Sequence, residues 1–288
     1  MNREISTVHR FPSKLLLFGE HTVVFGSKAL AIPYPEYFGK WSVCNEKSSQ
    51  EKKLLNEFLD FLIAHCSQFL SLEKLLLLQK SVLFFESNIP YGFGLGSSGA
   101  LCAAIYDYCA IETESEIIVI KKHLSAMESY FHGSSSGLDP LISYLNKPIL
   151  IGENQTISVL NQEFFTDNFY LWNSKAKRKA SVQIQLFAEK MKAIDFQNKV
   201  NQELIPINEA CIHSFIQNDI TGLTTNFEKL SRFQLKYMDF LIPEATKAYW
   251  EKGLSDQTYF MKICGAGGGG FFLGLKNKPL QFNIIRAY

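Results

Sequence analysis

None of the six cysteines (Cys44, Cys66, Cys102, Cys109, Cys211 and Cys264) stands at C-x-x-C spacing or beside a histidine cluster. That argues against a zinc site or a disulfide framework and leaves reduced, mostly buried thiols. Neither sign of charge dominates: 29 Lys and Arg face 28 Asp and Glu, with no long run of one sign. A broad surface for nucleic acid or anionic lipid is therefore not expected. No apolar stretch reaches bilayer-spanning length, and the N-terminal MNREISTVHRFPSK lacks the apolar core of a secretion signal. The expectation is a soluble, cytoplasmic protein with a small ligand and no nucleic-acid or membrane partner.

What the chain does have is core-forming material: 47% of its 288 residues are hydrophobic, enough for one large domain or two ordinary ones. KLLLF at Lys14 to Phe18 and SVLFFE at Ser81 to Glu86 read as strands. Between them Leu54, Leu55, Phe58, Leu62 and Phe69 recur at helical spacing. Leu101 to Ile111 and Glu116 to Phe131 are helical in period, and PILIG at Pro148 to Gly152 reads as a returning strand. Beyond residue 165, FYLWN at Phe169 to Asn173 reads as a strand, helical segments run on to Trp250, and Pro206 and Pro243 are expected to break them. Strands at Tyr259 to Cys264 and Phe271 to Leu275 flank the run GAGGGG. Tyr34 to Ser49 has no legible pattern.

The stretch YGFGLGSSGALCAA, Tyr91 to Ala104, carries a glycine loop into a helix. Gly94-Leu95-Gly96-Ser97-Ser98-Gly99 fits G-x-G-x-x-G, and Glu112, Glu114 and Glu116 stand near the distance at which a ribose would be held, so a dinucleotide site is one reading. The intervening Ile89-Pro90-Tyr91-Gly92-Phe93 and the lack of repeated βα units speak against it. A serine pair at a helix N-terminus instead offers amides and a dipole to an anion and hydroxyls to a phosphate and a metal, which suits a nucleoside triphosphate. No Lys follows Gly99, so this is not a Walker loop. Taken alone, the serines also fit a plain helix cap.

Three motifs occur in order: FPSKLLLFGEHTVVFG from Phe11 to Gly26, the serine-bearing loop, and KICGAGGGG from Lys262 to Gly270. Together they resemble the GHMP kinases, which transfer the γ-phosphoryl group of ATP to a small metabolite. Within that superfamily the chain is most similar to the mevalonate kinase family, through GEHTVVFGSKALAIP at Gly19 to Pro33, HGSSSGLDPLISY at His132 to Tyr144, and a glutamate, Glu128, eleven positions before Asp139. Galactokinases fit less well, since Thr22-Val23-Val24 follows His21.

The resemblance implies an α+β fold of two subdomains, with residues 1–160 as an ATP-binding part like ribosomal protein S5 domain 2 and residues 161–288 as a ferredoxin-like part. It implies ATP and Mg²⁺ as cofactors and mevalonate or a similar hydroxy acid as substrate, with a homodimer as one assembly. Gly92, Gly94, Leu95, Gly96, Ser97, Ser98 and Gly99 would hold the nucleotide, and Ser98 and Glu128 the metal. Asp139 would take the hydroxyl proton, with Lys14 beside it to favour the ionised forms. Glu20, His21, Arg178, Gly265, Ala266 and Gly267 would line the acceptor site, His21 as a donor and Arg178 as a grip on a carboxylate.

Each residue also has a plainer reading. Glu128 alone reads as a solvated carboxylate, His21 as a structural histidine, Lys14 as a strand-edge lysine, Asp139-Pro140 as a helix start, and the glycine run as a flexible hairpin. Phe11-Pro12-Ser13-Lys14 stands where the family has Ala-Pro-Gly-Lys, and Lys177 and Ala180 stand where Pro and Thr are usual. The second departure bears on the acceptor. Phosphomevalonate kinase is a near rival because of the cations from Lys175 to Lys179, and an NAD-dependent oxidoreductase is a distant one.

Overall fold

The structure, a computed structural model, describes residues 5–44, 48–111, 116–162, 164, 167–176 and 180–277. It mixes helices and antiparallel strands and divides into two compact units, each assembled from separate stretches of chain. The first holds residues 1–15, 32–91 and 95–148, the second residues 16–31, 92–94 and 149–288.

In the first unit, β1 (Phe11–Phe18) begins and β2 (Ala29–Val43) ends. Helices α1 (Ser49–His65) and α2 (Leu72–Lys80) lead to β3 (Leu83–Ser87), which pairs antiparallel with β2 from Gly39 opposite Ser87 to Val43 opposite Leu83. The Phe85 ring lies over Gly39, where a Cβ would come within 2.1 Å of it. In α1 the buried Leu55, Phe58, Leu59 and Leu62 fall on one face, whereas Leu54, expected there, is exposed and Phe69 lies in the turn beyond the helix end. Ser71 caps α2 by accepting from the Lys74 amide.

Helix α3 (Ser97–Cys109) is the centre of this unit and is buried along most of its length. It packs against α4 (Ile117–His132) and most extensively against α5 (Leu138–Leu145). Small residues allow that approach. A Cβ on Gly99 would come within 2.9 Å of the Asp139 carbonyl carbon and the Pro140 nitrogen, so the glycine brings the backbone of α5 onto the first turn of α3.

In the second unit, β4 (Ile149–Ile151) pairs with the start of β2, Ala29 opposite Ile151, and with β5 (Ile157–Val159). A separate three-stranded sheet has the order β6-β8-β7, from β6 (Phe169–Asn173), β7 (Tyr259–Ile263) and β8 (Phe271–Lys276), all antiparallel. Its helices are α6 (Ala180–Lys190), α7 (Ile194–Lys199), α8 (Ile205–Ile216), α9 (Ile220–Tyr237) and α10 (Glu244–Asp256). The free edge of β7 is satisfied from α9: Ser231 Oγ accepts from the Met261 amide at 3.2 Å and Gln234 Oε1 from the Ile263 amide at 2.7 Å.

The expected break at Pro206 is not there. A five-residue π-helical turn, Val200–Leu204, joins α7 to α8 with right-handed helical backbone throughout. Widening the turn accommodates the amide that proline lacks. Pro243 does act as a stop, since α10 starts after it.

Candidate active site

The first cluster is built on β1, α3, α4 and α5. Lys14 projects from β1, and its amide donates to the Leu95 carbonyl at 3.0 Å, which fastens the glycine loop to the strand. Its Nζ lies 3.0 Å from Asp139 Oδ1 in the first turn of α5. Gly96, left-handed at φ 76, opens α3 against this pair: a Cβ there would meet Lys14 Cγ at 3.0 Å and Asp139 Oδ2 at 3.4 Å. Only glycine combines that backbone with that clearance. Gly92 and Gly94 also have positive φ.

One turn along α3, Ser98 Oγ donates to Glu128 Oε1 at 3.1 Å and lies 3.2 Å from His132 Nε2. Glu128 Oε2 accepts from Ser135 Oγ. Glu128 is 4% exposed, so helical phase alone places it wrongly in solvent. Hydroxyls engaging both of its oxygens are what make the burial tolerable. Burial raises its pKa above the ordinary carboxylate range and the Asp139 charge adds to the rise, while Ser135, Ser98 and His132 oppose it.

Among the described residues no group of three or more His, Cys, Asp and Glu is placed to hold a metal. Ser98 and Glu128 offer two hard oxygens, a set compatible with Mg²⁺, an ion that takes few protein ligands and keeps water and phosphate in its remaining positions.

The second cluster lies in the other unit and ties the first motif to the last. Lys262 Nζ, fully buried in β7, donates to Glu20 Oε1 and, at 2.6 Å, to the Ile263 carbonyl. Burial pushes the Glu20 carboxyl up, and the ammonium of Lys262 works against that push. His21 sits at φ 63, strained for a non-glycine residue. Its ring stacks on Phe187 at 4.5 Å and its Nε2 lies 3.1 Å from the Ala266 carbonyl. A carbonyl only accepts, so Nε2 carries hydrogen and is engaged with the glycine run.

That run is packed, not a loose hairpin. Gly265 and Gly267 have positive φ, the Gly268 amide donates to the Leu241 carbonyl at 2.6 Å, and the Gly270 amide donates to the Ala176 carbonyl at 3.0 Å. A Cβ on Gly269 would fall 2.5 Å from the Ala176 oxygen. Arg178, the expected carboxylate grip, lies outside the described residues, as do Lys177, Lys179, Glu112 and Glu114.

Residues 62–147 match the family described as GHMP kinases N terminal domain. Over 277 residues the chain is 25% identical to the mevalonate kinase of Archaeoglobus fulgidus, covering 92% of this chain and 90% of that protein. The crystal structure of the Methanococcus jannaschii mevalonate kinase superposes with a TM-score of 0.62 at 21% identity, covering 93% of this chain and 90% of that one. That of the L. major mevalonate kinase in complex with R-mevalonate superposes with 0.65 at 14% identity, covering 97% and 91%. The α+β architecture is thus the fold that these two solved mevalonate kinases share.

The matched GHMP segment contains Gly92 to Gly99, Glu128 and Asp139, while Lys14, Glu20 and the Gly265–Gly270 run lie outside it. Three residues at these clusters escaped the reading of the sequence. Lys262 carried a usable signal, a lone charge inside the apolar run YFMKIC, which demands a buried partner. Ser135 and His132 lie in the stretch HGSSSGLDPLISY, but nothing in the sequence says that they meet Glu128 and Ser98.

Proposed function

We propose that the protein is an ATP- and Mg²⁺-dependent kinase that phosphorylates the primary hydroxyl of mevalonate or a similar hydroxy acid. The observation that carries this reading is the Lys14–Asp139 pair at 3.0 Å, set against Gly96 at the head of the helix that bears Ser98 and its partner Glu128. The GHMP kinase domain and the mevalonate kinase relatives support the same chemistry.

Phosphoryl transfer asks a protein to position the partners and to stabilise charge spread over phosphate oxygens. Bound MgATP supplies the transferable group and neutralises part of its charge. Amides at the start of α3, with the Ser97 and Ser98 hydroxyls, would receive phosphate oxygens, and Ser98 with Glu128 would hold the metal. Asp139 accepts the acceptor's hydroxyl proton at a carboxylate oxygen. Lys14 holds Asp139 in place and faces the negative charge that develops on the attacking oxygen. Glu20, His21, Arg178 and Gly265 to Gly267 are assigned to the acceptor on the family pattern. His21 would shape that surface with its ring, because its Nε2 is held by Ala266.

The test is ADP release from ATP and Mg²⁺ with mevalonate, phosphomevalonate, homoserine and galactose in parallel. Mevalonate is expected to give the largest stimulation. A preference for phosphomevalonate would reassign the acceptor within the same chemistry. No stimulation by any alcohol, or tight NADH binding without ATP binding, would overturn the kinase reading.

A further inference from the structure

Loop 133–137 joins the end of α4 to the start of α5. Within it, Ser135 makes an unusual number of contacts. Its hydroxyl donates to Glu128 Oε2 and accepts from the Gly137 amide at 2.9 Å. Its carbonyl accepts from Ser125 Oγ at 2.6 Å. One residue thus holds both the buried carboxylate on α4 and the turn that delivers Asp139.

That turn has little slack. Gly137 caps α5 in the left-handed region at φ 72, and a Cβ there would stand 2.3 Å from the Lys121 carbonyl of α4. Asp139 follows two residues later, in the first turn of α5. A serine hydroxyl has one hydrogen, and here Glu128 takes it, so the oxygen is left to accept from Gly137. On the other side Glu128 Oε1 takes the hydrogen of Ser98. The carboxylate is therefore fixed by one hydroxyl from the phosphate loop and one from the loop that leads to Asp139.

We propose that Ser135 is a positioning residue for the magnesium–nucleotide site: it aims the Glu128 carboxylate toward Ser98 and couples that aim to the placement of Asp139. It touches no reacting atom and acts through Glu128, so the proposal rests on the kinase reading above. Removing its hydroxyl leaves Glu128 Oε2 in a buried place without its donor. Partners that orient a metal-binding carboxylate in this way are typically worth 10- to 100-fold in metal affinity.

The test is the Mg²⁺ dependence of binding of a non-hydrolysable ATP analogue to the full chain, for the parent, Ser135→Ala, Ser135→Gly and Ser135→Thr. The Mg²⁺ concentration for half-maximal binding should rise at least roughly 10-fold in Ser135→Ala and Ser135→Gly, and return to within roughly 3-fold of the parent in Ser135→Thr, which restores the hydroxyl. Using two deletions keeps the test alive if one fails to fold. A Ser135→Ala curve that overlays the parent overturns the proposal, and so does a Thr variant as impaired as Ala. If the parent itself shows no Mg²⁺-dependent analogue binding, the kinase reading falls and takes this proposal with it. Normal parent binding with an unaffected Ala variant removes the proposal alone.

Discussion

At the scale of single residues, the decisive feature is where charges are placed and what meets them. The Lys14 side chain is 15% exposed and that of Asp139 33% exposed, so the pair is partly shielded. Lys14→Met should lower kcat roughly 10²-fold, the order seen when one donor facing developing charge is removed, and should leave analogue binding nearly unchanged. Steady-state kinetics beside a binding titration check this. A larger effect on binding than on kcat would assign Lys14 to the nucleotide instead. The thiols make a second prediction. Cys66, Cys102, Cys109, Cys211 and Cys264 are buried and Cys44 is half-buried, and burial pushes the Cys109 thiol up to about 12. Thiolates are the reactive form, so a thiol reagent at neutral pH should label Cys44 first and the other five only on unfolding. Rapid labelling of a second cysteine in the native protein would contradict the burial described.

At the scale of elements, β7 is the clearest case of a local conflict resolved by tertiary structure. A lysine in a fully buried strand is costly unless paired, and Glu20 from the chain after β1 pairs it. Removing one partner leaves a buried charge, so Lys262→Met should cost about 3–5 kcal/mol. Glu20→Leu combined with Lys262→Met should recover most of that, as read by denaturant unfolding. A double variant no more stable than Lys262→Met would show that the pair is not the source of the cost. Regular apolar runs were legible in advance: FYLWN is β6 as expected, and the predicted helix beginning at Glu116 is α4. The strand β2 was not, because Pro33 and Pro35 interrupt it and its burial does not alternate. Nor was the π-helical turn before Pro206, which depends on packing and not on local preference. The short helix α2 and strand β5 offered too few residues for a period to show.

At the scale of the whole molecule, the order of three motifs along the chain was readable, but the side chains that each of them meets were not. Glu128 looked solvated because helical phase says nothing about Ser135 or Ser98, which reach it from other elements. Among the described residues no helix is long and apolar enough to cross a membrane. The buried thiols also set a limit on stability at high pH. Burial raises Cys109 to about 12 and raises Cys102 and Cys211 as well. In the unfolded chain such thiols ionise near about 8.5. The unfolded state therefore loses protons first, so the thiols' contribution is intact below that pH and is lost as pH rises toward 12. Each contributes a slope of about 1.4 kcal/mol per pH unit. Cys109→Ala should make the decline in unfolding free energy between pH 9 and 11 shallower by about that amount, and an unchanged slope would contradict the assignment.

On the proposed reading Asp139, held by Lys14 beside the Ser98–Glu128 pair, takes the acceptor's proton during phosphoryl transfer. Single-turnover transfer of the γ-phosphoryl group from MgATP to mevalonate, measured for the parent and for Asp139→Asn, tests it most directly. The account predicts a roughly 10²- to 10⁴-fold slower transfer in the Asn variant with analogue binding retained. Equal transfer rates in the two proteins would contradict it.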